Sequence, residues 1–90
     1  MPCPPILDVT VANIVKLAEA YRVGAIVEAE HVVDIYLACF NGYEERSIAL
    51  DMLLRELSRP ERRAHNRGGL FEQVEIYIDR RHRIMALDFQ

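Results

Sequence analysis

Apolar residues recur with a helical period through residues 8–57, and only Gly24 and the pair Asn41-Gly42 interrupt them. Val11, Ile14, Val15, Ala18 and Tyr21 stand at i, i+3, i+4, i+7 and i+10, while Asn13, Lys16 and Glu19 fall on the other side. That spacing predicts an amphipathic helix over about Val9 to Tyr21, with Asp8 placed to cap it. A second helix is expected over about Ala25 to Phe40, with Ile26, Ala29, Val33, Tyr36, Leu37 and Phe40 on one face. Asn41-Gly42 stops it, because both residues tolerate a positive φ. A third fits about Tyr43 to Leu57, where Glu44 and Glu45 suit the positive end of the macrodipole. Leu50, Leu53, Leu54 and Leu57 form its core stripe, and Ile48 and Met52 lie on a different side, roughly 120–160° away. A helix with two apolar faces needs two surfaces to bury them against.

Beyond residue 57 the period weakens. Pro60 suits the first position of a short helical turn, Pro60 to His65, ended by Asn66-Arg-Gly-Gly69. Residues 58–70 therefore read as an Arg-rich connector with Gly68-Gly69 as its joint. Two templates compete for residues 71–90. A helix through Phe71, Val74, Ile78, Met85 and Phe89 requires Arg81 or His82 to face the core. A β-hairpin has no such cost: Val74, Ile76 and Ile78 alternate with polar neighbours and would face Phe89, Leu87 and Met85. Its weak point is the tip, Arg80-Arg-His-Arg83, which lacks the glycine or asparagine that tight turns favour. The expected fold is thus α+β: one small domain with a loose N-terminus (1–7), a helical part (8–57), the connector (58–70) and a C-terminal β-hairpin (71–90).

Charge separates the two halves. The net charge is −3, yet residues 59–90 hold seven arginines against five acids. The acidic total weighs against a protein whose main work is to coat nucleic acid or an anionic membrane. No run approaches the ~18–20 apolar residues of a membrane span. The N-terminus shows neither a basic region nor a long apolar run, so no signal peptide is expected. Two cysteines, Cys3 and Cys39, make no disulfide scaffold and have no ligand spacing. A reducing, cytoplasmic setting is the expectation.

Catalytic chemistry finds little to stand on. Glu28-Ala-Glu-His31 has the Glu-x-x-His step of di-iron bundles, but His31 lies almost opposite the second helix's apolar stripe. Cys39, beside Phe40, reads as a small buried apolar residue. His31, His65 and His82 are expected to be exposed, with no acid fixed beside them. Ser47 and Ser58 lack a nucleophile-elbow context, and Gly68-Gly69 is not followed by the Gly-Lys-Ser/Thr of a phosphate loop. No enzyme activity, cofactor or metal is expected.

The arginines and the surplus apolar face remain. Three helices followed by a hairpin is the element order of a winged helix, and Arg80 to Arg83 would sit at the wing tip, where guanidinium groups pair with phosphate. Against DNA binding stands the third helix, whose Glu44, Glu45, Asp51 and Glu56 outnumber Arg46 and Arg55 and would repel phosphate. The leading expectation is a non-enzymatic protein-interaction module that forms a homodimer and regulates or inhibits a protein partner. Its contact residues would be Ile48 and Met52, with Arg62, Arg63, Arg80, Arg81 and Arg83 as a basic rim. Winged-helix DNA binding is the second expectation.

Overall fold

A computed structural model describes residues 5–89, among which lie five helices and no strand. They are α1 (Pro5–Glu19), α2 (Ala25–Leu37), α3 (Tyr43–Leu57), α4 (Pro60–Arg63) and α5 (Leu70–Phe89). Helix α1 packs on α2, α2 on α5, α5 on α3 and α3 on α1. The four longer helices so surround one hydrophobic core, in which Tyr36, Phe71, Leu7, Ile14, Leu50 and Ile78 are among the largest side chains.

The C-terminal hairpin is overturned. Residues 70–89 form one helix, and Leu70, Phe71, Val74 and Ile78 bury completely along a single stripe. Ile76 and Leu87, which the hairpin would have turned inward, stay 52% and 71% exposed. The objection to a helix was the burial of Arg81 or His82. Neither is driven into the core: both stop at its rim. Arg81 Nε lies 3.9 Å from Asp34 of α2, and His82 Nε2 lies 3.3 Å from Asp51 of α3. Carboxylates on two other helices thus lower the cost of the helical register. The run Arg80-Arg-His-Arg83 also suits a helix interior better than a turn. Phe89 is helical in backbone, and its side chain lies outside the described residues, as do residues 1–4, most of the expected loose N-terminus.

The first three helices keep most of the expected faces with shifted ends, but Tyr21, expected on the first helix's apolar face, lies past the end of α1 and is 48% exposed. Among the described residues α1 is already helical at Pro5, ahead of Asp8, and proline is tolerated in a first turn, where its missing N–H is not needed. Asp8 is then a first-turn residue near the positive helix end rather than a cap. Leu7, Val11, Ile14 and Ala18 are buried at i, i+4, i+7 and i+11. The Thr10 hydroxyl, also buried, donates to the Ile6 carbonyl at 2.7 Å. On α2 the stripe is Ala25, Ala29, Val33, Tyr36 and Leu37, and the small side chains at its start let α1 approach closely. The helix ends at Leu37, short of Phe40, whose ring packs edge-on against Tyr36 at 5.1 Å. Tyr36 Oη donates to the Ala49 carbonyl at 2.8 Å, so this buried phenol ties α2 to α3. Cys39 is exposed, contrary to the buried reading, since it lies past the helix end.

The connector is fixed where it meets α5. Gly68 and Gly69 both have positive φ, +64° and +70°, and Gly68 has a second constraint: a Cβ there would lie 2.5 Å from Tyr21 Cδ1. The Asn66 side-chain oxygen then accepts from the Phe71 N–H at 2.9 Å, covering an amide in the first turn of α5.

Candidate functional site

The seven residues singled out from the sequence do not form one surface. Ile48 is 60% exposed on α3, whereas Met52, one turn on, packs partly against the core. Arg63 is an internal clamp. Its guanidinium lies 3.1 Å from Glu72 and 3.1 Å from Glu75 and stands 6.0 Å over the Phe71 ring, pinning α4 to α5. Arg62 is partly buried, and its Nε finds no hydrogen-bond acceptor among the described residues. The expected wing tip divides around a helix. Arg80 and Arg83 point outward, Arg83 pairing with Asp79 at 3.0 Å. Arg81 turns the other way, toward α2. With no strand among the described residues there is no wing to present arginines to a duplex.

What α5 does assemble is an outer stripe. Ile76, Arg80, Arg83 and Leu87 stand at i, i+4, i+7 and i+11, the spacing of one helix face, with Ile84 at its edge. Ile76, Ile84 and Leu87 are 52%, 42% and 71% exposed. The sequence alternation hid this face by assigning Ile76 and Leu87 to a core.

Two concavities lie elsewhere. A groove of about 660 Å³ between α1 and α2 has an apolar floor of Leu17, Ala20, Val27 and Val32, edged by Lys16, Arg22, Glu28 and His31. Glu28 spends both oxygens on the Arg22 guanidinium, at 2.6 and 2.9 Å. That pairing holds its carboxyl below the usual carboxylate range and occupies the would-be partner of His31. No group of three metal-ligating side chains occurs among the described residues. The smaller concavity, about 180 Å³, is lined by Asp34, Leu37, Ala38, Arg46, Arg81 and Met85.

Beside that cavity the Tyr77 hydroxyl donates to Asp34 Oδ1 at 2.6 Å. Burial, then the hydrogen bond to Asp34, pushes the phenol up to about 12. Sequence reasoning missed this pair, although Tyr77 precedes Arg81 by one helical turn. Two histidines also have acids beside them, contrary to expectation: His65 Nδ1 is 3.1 Å from Glu19 Oε2, and His82 faces Asp51. Both acids belong to helices distant in sequence.

No helix among the described residues is long and apolar enough to cross a membrane. No protein family matches the chain, and neither a curated protein nor a solved structure matches it.

Proposed function

We propose that the chain is a small non-enzymatic protein-interaction module of the cytoplasm that regulates or inhibits a protein partner through the outer faces of α5 and α3. The observation that carries this reading is the α5 stripe, on which exposed Ile76 is followed by outward Arg80 and Arg83 and then by exposed Ile84 and Leu87. Isolated exposed apolar residues need no explanation, but several gathered on one helix face and interspersed with charge fit a contact surface. Arginine beside apolar anchors is also the composition that protein interfaces favour. Ile48, on the outer side of α3, stands among Glu44, Asp51 and Arg55. This more acidic face offers Arg80 and Arg83 a complement, so a second copy of the chain is one candidate partner.

The test is capture from a native lysate with wild-type protein and with Ile84→Glu/Leu87→Glu, both checked by far-UV circular dichroism, beside light scattering of each alone. A protein, or a second copy, held by the wild type and lost from the folded variant supports the reading. Identical capture and identical mass for the two proteins overturn it. Kinetics add a second arm. Rim charges set association rate and buried anchors set lifetime, so Arg80→Ala/Arg83→Ala should slow association, while Leu87→Ala should speed dissociation.

A further inference from the structure

Where α2 ends, α3 begins and α5 passes, the 180 Å³ cavity is lined by two guanidinium groups, Arg46 and Arg81, and one carboxylate, Asp34. Arg46 is anchored by its Nε, which donates to the Phe40 carbonyl at 3.0 Å, and it pairs with no carboxylate among the described residues. Its terminal nitrogens are left for another acceptor. Arg81 Nε is buried and has no hydrogen-bond acceptor among the described residues. The nearest carboxylate oxygen, Asp34 Oδ1, stays 3.9 Å away and already accepts from Tyr77. Two cations, Arg46 exposed and Arg81 partly exposed, against one engaged anion leave the cavity with an excess of positive charge that an oxyanion would offset. The accessible part of the Arg81 side chain, 35% exposed, and the terminal nitrogens of Arg46 are what a ligand can reach, and the planar guanidinium fork matches a carboxylate well.

The remaining walls decide the class of anion. Leu37, Ala38 and Met85 give the cavity an apolar side, which a bare inorganic ion would not use. The volume of about 180 Å³ is below that of a drug-sized pocket and suits a small group. We propose that this cavity binds a carboxylate on a short apolar stem, its oxygens on Arg46 and Arg81 and its stem against Leu37, Ala38 and Met85. Two sources carry that chemistry, a free short-chain organic acid and the terminal carboxylate of a protein chain. The site is separate from the α5 outer stripe, so it stands or falls apart from the interaction reading.

The experiment is an NMR titration of the folded full chain at constant ionic strength. The probes are sodium butyrate, inorganic phosphate, and a short peptide ending in leucine with its C-terminus free or amidated; sodium chloride is the control. Saturable shifts at the Arg46 and Arg81 side-chain N–H groups and at the Leu37, Ala38 and Met85 amides are expected with butyrate or the free-ended peptide. Whichever of the two binds more tightly names the source. Arg46→Gln and Arg81→Gln should each weaken binding by about tenfold or more, the scale of one lost charge-assisted hydrogen bond. Where a glutamine variant fails to fold, the lysine variant replaces it and should weaken binding too, because it keeps the charge and loses the fork. Phosphate binding more tightly than either carboxylate, an amidated peptide that binds as tightly as a free-ended one that binds, shifts reproduced by chloride, or shifts unchanged in the variants would each overturn the proposal.

Discussion

Tyr77 Oη donates a 2.6 Å hydrogen bond to Asp34 Oδ1, joining α5 to α2 across 43 positions of sequence. The bond joins a neutral donor to a charged acceptor, a class that contributes about 1.5–3 kcal/mol when removed from water and less where partly solvated. Asp34 is 44% exposed at its side chain, so Tyr77→Phe should cost about 1 kcal/mol by chemical denaturation at neutral pH.

The same pair fixes an alkaline limit. The Tyr77 phenol ionises at about 12 in the fold against 10.0 for an unperturbed tyrosine. A raised pKa means that the folded state keeps its proton where the unfolded state has lost it. The stabilisation is therefore complete below pH 10 and is lost progressively between 10 and 12. Wild-type stability should fall through that interval more steeply than that of Tyr77→Phe. Parallel curves for the two proteins would show that the phenol does not titrate differently on folding.

The hairpin turns both Ile76 and Ile78 inward, whereas the helix buries only Ile78. In α5 Ile78 is fully buried and Ile76 is 52% exposed. Ile78→Ala should cost roughly 2–4 kcal/mol through lost burial and the cavity left behind. Ile76→Asp should stay within about 1 kcal/mol, since the new carboxylate meets water. A hairpin would make Ile76→Asp the more damaging change, so denaturation midpoints of the two variants decide between the registers.

That pair of residues also shows where sequence reading stops. In α1, α2 and α3 the apolar stripe is continuous and local, so Val11, Ile14, Ala29, Val33, Leu50 and Leu53 could be placed inside from spacing alone. In α5 the two templates differ only in what happens to Arg81, His82, Ile76 and Leu87. The answer depends on Asp34 and Asp51, which lie on other helices and have no local signature near residue 81. The small cavity was illegible for the same reason: Arg46 and Arg81 meet only after α2, α3 and α5 are assembled. The angle on α3 put Ile48 and Met52 on one outward face, which holds for Ile48 but not for Met52, which packs partly against the core.

Gly68 tests how the connector is held. Its φ of +64° alone makes Gly68→Ala unfavourable, by about 1 kcal/mol or somewhat more. The contact with Tyr21 adds to that, because the new Cβ would sit 2.5 Å from Cδ1 of the ring. Gly24→Ala provides the comparison, with φ +88° and open space around the Cβ. The Gly68 variant should be the less stable of the two. Adding Tyr21→Ala should recover part of the loss at Gly68 and none at Gly24, a coupling that a double-mutant cycle measures. Equal losses at both glycines would mean that the ring simply moves aside.

At the start of α5, Glu72 gathers the connector. Both its oxygens accept from the Asn66 amide, at 2.9 and 2.8 Å, and Arg63 Nη1 lies 3.1 Å from Oε1. The Asn66 hydrogen bond first, then the residue's own backbone N–H and the Arg63 guanidinium, hold this carboxyl below its ordinary value of 4.5. A depressed pKa stabilises the fold above the unfolded value, and that contribution is lost as pH falls through the folded one. The side chain is 54% exposed, so solvent screening keeps the effect small. Asn66→Ala should raise the Glu72 pKa measured by NMR toward 4.5 and remove the Phe71 N–H acceptor together. Glu72→Gln should flatten the acid limb of the stability curve while leaving that Phe71 bond in place. If the Glu72 pKa is unmoved by Asn66→Ala, the carboxylate is held by Arg63 and the helix start alone, and the amide serves only as the cap of α5.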